Sequence, residues 1–359
     1  MEIRHIYYFA NHNLSGISVR YRGVYVLNFL FEFHGISNTI VYPGYKTVEI
    51  LNFFKVYFEI LFFRKNNSLI IFQKLYTKGI YTNLLKLLLR LRPSMTVYDI
   101  DDADYLRFDK KNINFFIKNS KFCTVGSKAL FDYVKEVNKN VLLLTTPIIS
   151  HQEVKANKNS VIHIGWVGDY GFNKGSQALF SHKMSLEQLF LPVLNELNFP
   201  FKLTLLGIKT EEHKKEIEQF FKGNTYIDLN IPNDINWQDE ESVYKRIKAF
   251  DIGVSPMINS EFNKAKSAFK IKQYLSCGVP VLGSPVGENL SFIKDGKNGF
   301  LCKNKTEFKE KIEMIKNMNN DEYQLFMNNT QLDLNIFSVQ KYCNDLLIGL
   351  KKVAQNQNK

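Results

Sequence analysis

No stretch of the chain reaches the ~18 uninterrupted apolar residues that a membrane-spanning helix needs, so no spanning segment is expected. The opening MEIRHIYYFA lacks the charged-then-apolar pattern of a secretion signal and starts directly as a strand. Cysteine is scarce. The four present, Cys123, Cys277, Cys302 and Cys343, are scattered without zinc-like spacing, and reduced core thiols are expected. No internal repeat or low-complexity block is present, and no recognised nucleic-acid-binding module occurs. Acidic residues are in deficit, 35 against 47 basic, for a formal charge of +12. That excess admits nucleic acid, an anionic membrane or a phosphorylated substrate as partner, or a lysine-rich solvated surface. A cytoplasmic protein follows from these absences.

What is present is ample apolar material. With 359 residues and 45% apolar content, the chain suits two domains, each with its own core. Ile3 to Ala10 reads as a strand, Asn11 to Ser18 as a polar loop holding Gly16, and Val19 to Phe33 as a helix ending at Gly35. A strand, glycine loop and helix in that order open a doubly wound α/β domain. Gly16 would let the backbone approach a ligand, and Arg20 and Arg22 stand in the helix's first turn. Val48 to Phe63 is a strongly aromatic helix that reads either as core or as an element lying in a membrane interface. A strand ends in Asp99, Asp101, Asp102 and Asp104. Adjacent carboxylates at a strand end suit a hard cation, acceptor hydroxyls or proton transfer at Asp101 or Asp102, or helix capping by Asp102 or Asp104. Residues 147–159 form a polar linker, after which VIHIGWVG starts a second strand–glycine unit.

The stretch from Phe250 to Cys302 organises the second half. It reads as strand, basic loop, helix, strand, loop and helix. Ser267 is expected to cap the helix carrying Phe269, Ile271, Tyr274 and Leu275 inward. A helix N-terminus directly after a strand offers unpaired N–H groups to an anion, and Lys264, Lys266 and Lys270 surround that end. A phosphate group is the natural occupant.

The run KAKSAFKIKQYLSCGVPVLGSPVGEN, residues 264–289, resembles the nucleotide-sugar site of retaining glycosyltransferases of family four. The resemblance is good from about 160 to 302. It implies the GT-B fold: α/β, two Rossmann-like doubly wound domains facing a cleft, with a C-terminal helix crossing back to the first. The implied domains are 1–150 for the acceptor, 151–335 for the nucleotide sugar and 336–359 for the returning helix. The family's usual glutamate pair is replaced by Ala265 and Gln273, and Gln273 can still hydrogen-bond a ribose. Many members clamp the diphosphate with an arginine and a lysine five residues apart. Lys174 fits the lysine, while Asp169 stands where the arginine would, so Lys266 and Lys270 are read as the replacement charge.

The resemblance therefore implies a retaining hexosyltransferase that needs no metal or other cofactor. It moves a sugar from a nucleoside-diphosphate sugar to a glycan or lipid-linked acceptor in surface polysaccharide assembly. Lys270, Lys174, Asp101 and Arg20 are the expected catalytic residues. Gly16, Lys266, Ser267, Ala268, Phe269, Gln273, Gly287, Glu288 and Asn289 are expected to bind the donor. Peripheral contact with an anionic membrane at its inner face is expected, and no nucleic acid. The alternative is a GT-B partner subunit that binds the nucleotide sugar without catalysis.

Overall fold

The computed structural model describes residues 3–44, 46–63, 67–77, 79–92, 96–149, 155, 157–171 and 181–355. Two compact units emerge. One contains the chain up to Ile149, Ala265–Ser267 and the chain from Asn335 onward. The other contains Ser150–Lys264 and Ala268–Leu334.

The first unit begins with β1 (His5–Phe9), α1 (Tyr25–His34), β2 (Ser37–Val41), α2 (Thr47–Phe63), β3 (Ser68–Gln73) and α3 (Ile80–Leu91). It continues with β4 (Thr96–Ile100), α4 (Lys110–Asn119), β5 (Phe122–Val125), α5 (Lys128–Lys135) and β6 (Val141–Leu143). Its sheet runs β2-β1-β3-β4-β5-β6, with every pairing parallel. The central strands are buried along their length, as expected of a parallel sheet covered on both faces; Ser68 to Gln73 and Thr96 to Ile100 are all buried. One face packs Ile6, Tyr8, Leu69, Ile71 and Val97 against Leu27 and Leu30 of α1, and against Cys343 and Leu346 of the last helix.

The second unit holds β7 (Ile162–Val167), α6 (His182–Leu189), α7 (Leu191–Leu194), β8 (Phe201–Leu206), α8 (Glu211–Phe220), β9 (Ile227–Asn230), α9 (Glu240–Lys248) and β10 (Ile252–Ser255). Then come α10 (Glu261–Lys264), α11 (Phe269–Ser276), β11 (Val281–Gly283), α12 (Asn289–Phe292), β12 (Gly299–Leu301), α13 (Lys305–Asn317) and α14 (Asn320–Thr330). The sheet order is β12-β11-β10-β7-β8-β9, again parallel throughout. The core gathers Trp166, Phe190, Phe201, Leu203, Phe308 and Tyr323. After Leu334, α15 (Val339–Gln355) belongs to the first unit.

Several elements differ from expectation for local reasons. The helix read over 19–33 starts as a π-helical turn, Val19–Val24, before α1. At Gly23 a Cβ would lie 2.7 Å from the Tyr8 ring, so only glycine lets this turn press on β1. Helices α6 and α7 are separated at Phe190, where Pro192, with no N–H to donate, lies in the first turn of the second. Helices α4, capped by Asp109, and α14, with a capping box from Asn319 and Glu322, were not anticipated. All four cysteines are buried free thiols.

Strand order directs attention to two places. In each sheet the winding reverses once, between β1 and β3 and between β7 and β10. Ligands of open parallel sheets bind beyond the strand carboxyl ends at such reversals.

Candidate functional site

At the reversal in the second unit, neighbouring strands diverge and Tyr274 of α11 fills the gap. Its Oη accepts from the Val167 N–H at 2.9 Å and donates to the Val254 carbonyl at 3.2 Å. Burial pushes the phenol pKa well up, so it stays a donor. Gly253 is required beneath it, since a Cβ there would lie 2.4 Å from the Tyr274 ring. Tyr274→Phe would orphan a buried amide. It should cost ~1–3 kcal/mol and speed hydrogen exchange at Val167; an unchanged exchange rate would remove Tyr274 as the anchor.

Anchored this way, α11 carries Lys270 over the end of β7. The Lys270 Nζ lies 5.0 Å from the Trp166 ring centroid and 3.4 Å from His182 Nε2. At Gly168 a Cβ would come within 3.2 Å of that nitrogen. Gly207, at φ +114°, lets the next loop close in; a Cβ there would sit 1.7 Å from the Gly168 carbonyl oxygen.

The start of α11 departs from the sequence reading. Ser267 does not cap it. The N-cap is Ala268, at φ 50° and ψ 39°, with no side-chain cap. A non-glycine residue in the left-handed region costs of order 1–3 kcal/mol, and such residues cluster at ligand sites. The amides of Ala268 and Ile271 donate to nothing among the described residues. Lys264 is exposed and pairs with Glu261 at 2.7 Å. Lys266 belongs to the first unit. There burial chiefly lowers its ammonium pKa; Asp102 opposes this, while Lys74 and Arg107 reinforce it. Lys270 stands over the strand end. Phe269 opens the helix, and Gln273, one turn on, is buried with its carboxamide unbonded among the described residues.

The loop after β11 is rigid. Ser284 Oγ accepts from the Met257 amide at 2.9 Å. Asn289 Nδ2 donates to the carbonyls of Ser284 at 3.0 Å and Ser255 at 3.4 Å, while its buried Oδ1 has no partner. Gly287, at φ +55°, is the one residue type that fits, because a Cβ would be 2.6 Å from the Lys264 carbonyl oxygen. Glu288 is buried at the N-cap of α12. Lys174 lies outside the described residues. Asp169 pairs with Lys209 at 3.0 Å.

At the reversal in the first unit, Gly16 closes a turn on the Asn13 carbonyl at 3.1 Å. Buried Arg20 holds that loop through Nη1, which donates to Leu14 O at 2.8 Å and Ser15 O at 3.3 Å. Below it, Lys74, at φ +47°, sends its ammonium among three carboxylates: Asp102 at 2.7 Å, Asp101 at 3.1 Å and Asp104 at 3.4 Å. Asp101 also accepts from Ser18 Oγ. This places a lysine ammonium where the aspartate spacing suggested a metal. It also corrects the capping reading, since Asp104 makes no side-chain cap on the short turn Asp104–Leu106 and Asp109 caps α4. Lys74 was missed in the sequence. The buried aspartates signal that a cation is needed there, but not which residue supplies it.

Burial raises Asp104 to about 6, with Lys74 opposing and Asp102 and Asp101 reinforcing. Burial would also raise Asp102, but Lys74, then Lys266, hold it far below the usual range. Asp104 in the fold thus keeps its proton to a higher pH than its ordinary 3.8. Its contribution favours the folded state at low pH and is lost as pH rises from ~4 towards ~6; Asp102 has the opposite sign. Carboxyl ¹³C titration should place Asp104 near 6, and Lys74→Met should move it higher. An ordinary midpoint would exclude the coupling.

With this geometry in view, comparison with known proteins becomes informative. The fold is that of GT-B glycosyltransferases. It is similar to Anabaena Alr3699/HepE, solved in complex with UDP and glucose: 13% identity, TM-score 0.63, covering 97% of this chain and 100% of that one. It is likewise similar to a glycosyltransferase from Rickettsia africae ESF-5, with 13% identity, TM-score 0.66 and coverage of 99% and 100%. Sucrose-phosphate synthase (tll1590) from Thermosynechococcus elongatus gives 12% identity, TM-score 0.67 and coverage of 99% and 100%. No curated protein sequence matches the chain. More specifically, residues 161–317 match the family model described as Glycosyl transferases group 1, so the second unit carries a domain of that type. That span contains Lys270, Tyr274 and the Gly287 loop.

Proposed function

We propose that the protein is a glycosyltransferase that moves a hexose from a nucleoside-diphosphate sugar to a glycan or lipid-linked acceptor in surface polysaccharide assembly, with retention at the anomeric carbon. The observation that carries this reading is the placement of Lys270 over the end of β7, beside a strained helix start whose Ala268 and Ile271 amides have no partner among the described residues. When the bond between the anomeric carbon and the diphosphate breaks, negative charge builds on the departing oxygen. Preorganised donors aimed at that charge supply the largest share of catalysis. Lys270, Lys174 and the amides of Ala268 and Phe269 take this role, so the leaving group needs no metal. Lys266 and Ser267 line the approach, Gln273 holds the ribose, and Gly287, Glu288 and Asn289 shape the sugar end.

The first unit takes the acceptor, with the second assigned to the donor and the last helix returning to the first. Asp101 receives the acceptor hydroxyl, and Arg20 and Gly16 set the loop above it. The protein works in the cytoplasm at the inner face of the membrane, in peripheral contact with anionic lipid.

A non-catalytic partner subunit is the second reading. It is favoured by Asp169, already paired with Lys209, and by Ala265 and Gln273 in place of carboxylates. Screening UDP- and GDP-sugars by thermal shift, then measuring nucleotide release from any that stabilise, separates the two. Release abolished by Lys270→Ala supports the enzyme. Stabilisation without release, with or without glycan acceptors, supports the subunit. No stabilisation by any activated sugar overturns both.

A further inference from the structure

Helices α2 and α3 of the first unit lie side by side. The Phe53 and Tyr81 rings meet at 5.0 Å near their starts, and Arg92 donates to the Leu61 carbonyl near their ends. Helix α2 buries Phe53, Val56, Tyr57 and Ile60. Its opposite face is apolar too: Leu51 is 64% exposed, Phe58 49% and Phe62 69%. Phe54, Phe58 and Phe62 stack in series, with centroids 6.3 and 6.2 Å apart. Leu87 and Leu91 of α3 are exposed as well. Exposed apolar surface of this extent marks an interaction site.

Charge selects the occupant. Lys55 is exposed on α2, and its two acids are engaged elsewhere: Glu59 accepts from Tyr7 Oη at 2.7 Å and Glu49 from the Lys46 amide at 3.1 Å. Helices α3 and α4 contain no acidic residue and carry Lys86, Arg90, Lys110, Lys111 and Lys118. A second copy of this chain would set that basic rim against itself. A phospholipid surface with anionic headgroups matches both the aromatic stripe and the rim.

We infer that the outer α2–α3 face is the protein's docking surface for an anionic lipid bilayer, with Phe54, Phe58 and Phe62 entering the headgroup–acyl boundary. This deepens the membrane contact proposed above and rests on that part of the reading alone.

Co-sedimentation tests it on the full chain, using vesicles of equimolar phosphatidylcholine and phosphatidylglycerol against phosphatidylcholine alone. Partition should be roughly tenfold or more stronger on the anionic vesicles and fall with salt. The combined Phe54→Ser, Phe58→Ser, Phe62→Ser variant should lose roughly tenfold or more while melting like the wild type. Phe31→Ser, an exposed phenylalanine on α1, should bind as the wild type does. Equal binding by the triple variant, no binding by the wild type, or a dimer dissolved by the triple substitution with vesicle binding unchanged would each overturn the inference. Thermal shift with UDP-sugars, run on the same samples, reports on donor binding separately. Loss there would sink the proposed transferase and leave the vesicle result standing.

Discussion

Lys270→Ala is expected to lower kcat/KM for sugar transfer by roughly 10²–10³-fold, the usual consequence of removing one preorganised donor to a developing charge. Helix α11 is pinned through Tyr274 to the gap between β7 and β10, so the lysine one turn earlier cannot drift from the strand end. Its Nζ lies over Trp166, in surroundings that weaken competition from water. Lys270 is only half-buried, so the melting temperature should hold while turnover falls. Lys270→Arg should recover part of the rate through its charge. Unchanged turnover in the alanine variant, at full donor occupancy, would remove Lys270 from the chemistry.

The largest effect on stability is expected at Arg22. Its guanidinium is buried in the first unit and bidentate on Asp99, with Nε to Oδ2 at 3.0 Å, and Nη1 reaches the Leu144 carbonyl at 2.6 Å. Thr124 Oγ1 donates to the same aspartate at 2.6 Å, and the Tyr342 ring lies 5.4 Å from the guanidinium carbon. Burial alone would favour losing the charge, but Asp99 more than offsets it, so the pKa is raised and the pair stays ionic. Arg22→Met leaves a buried carboxylate without its partner and should cost ~3–5 kcal/mol. Adding Asp99→Leu should restore most of that loss, because the pair's net worth is small beside the penalty for breaking it. Urea unfolding of the three variants checks both statements. A single variant within ~1 kcal/mol of wild type would show that water already reaches the pair.

Much of the fold was legible because it is written in neighbouring residues. Apolar runs ended by glycine or proline marked the strands β7 and β10. The candidate donor site was legible only as a region. The run of lysines at 264, 266 and 270 reads as one cluster; the structure pairs Lys264 with Glu261 and lays Lys270 over Trp166. Arg20 reads as a catalytic residue in the sequence; in the structure its Nη1 donates to two loop carbonyls. Lys74 was invisible, since a lysine after a buried strand carries no local sign that three carboxylates 27 to 30 positions later will surround it.

The amino-acid order by itself determined that two parallel sheets form, where their strands and glycine turns fall, and that a helix starts within residues 264–289. These depend on periodicity and on backbone freedom, which act over a few residues. Only the tertiary structure decided which charges meet: Arg22 with Asp99, and Lys74 with Asp101, Asp102 and Asp104. Ion pairs and rotamers are set by which strands lie side by side, and that is a property of the assembled sheet.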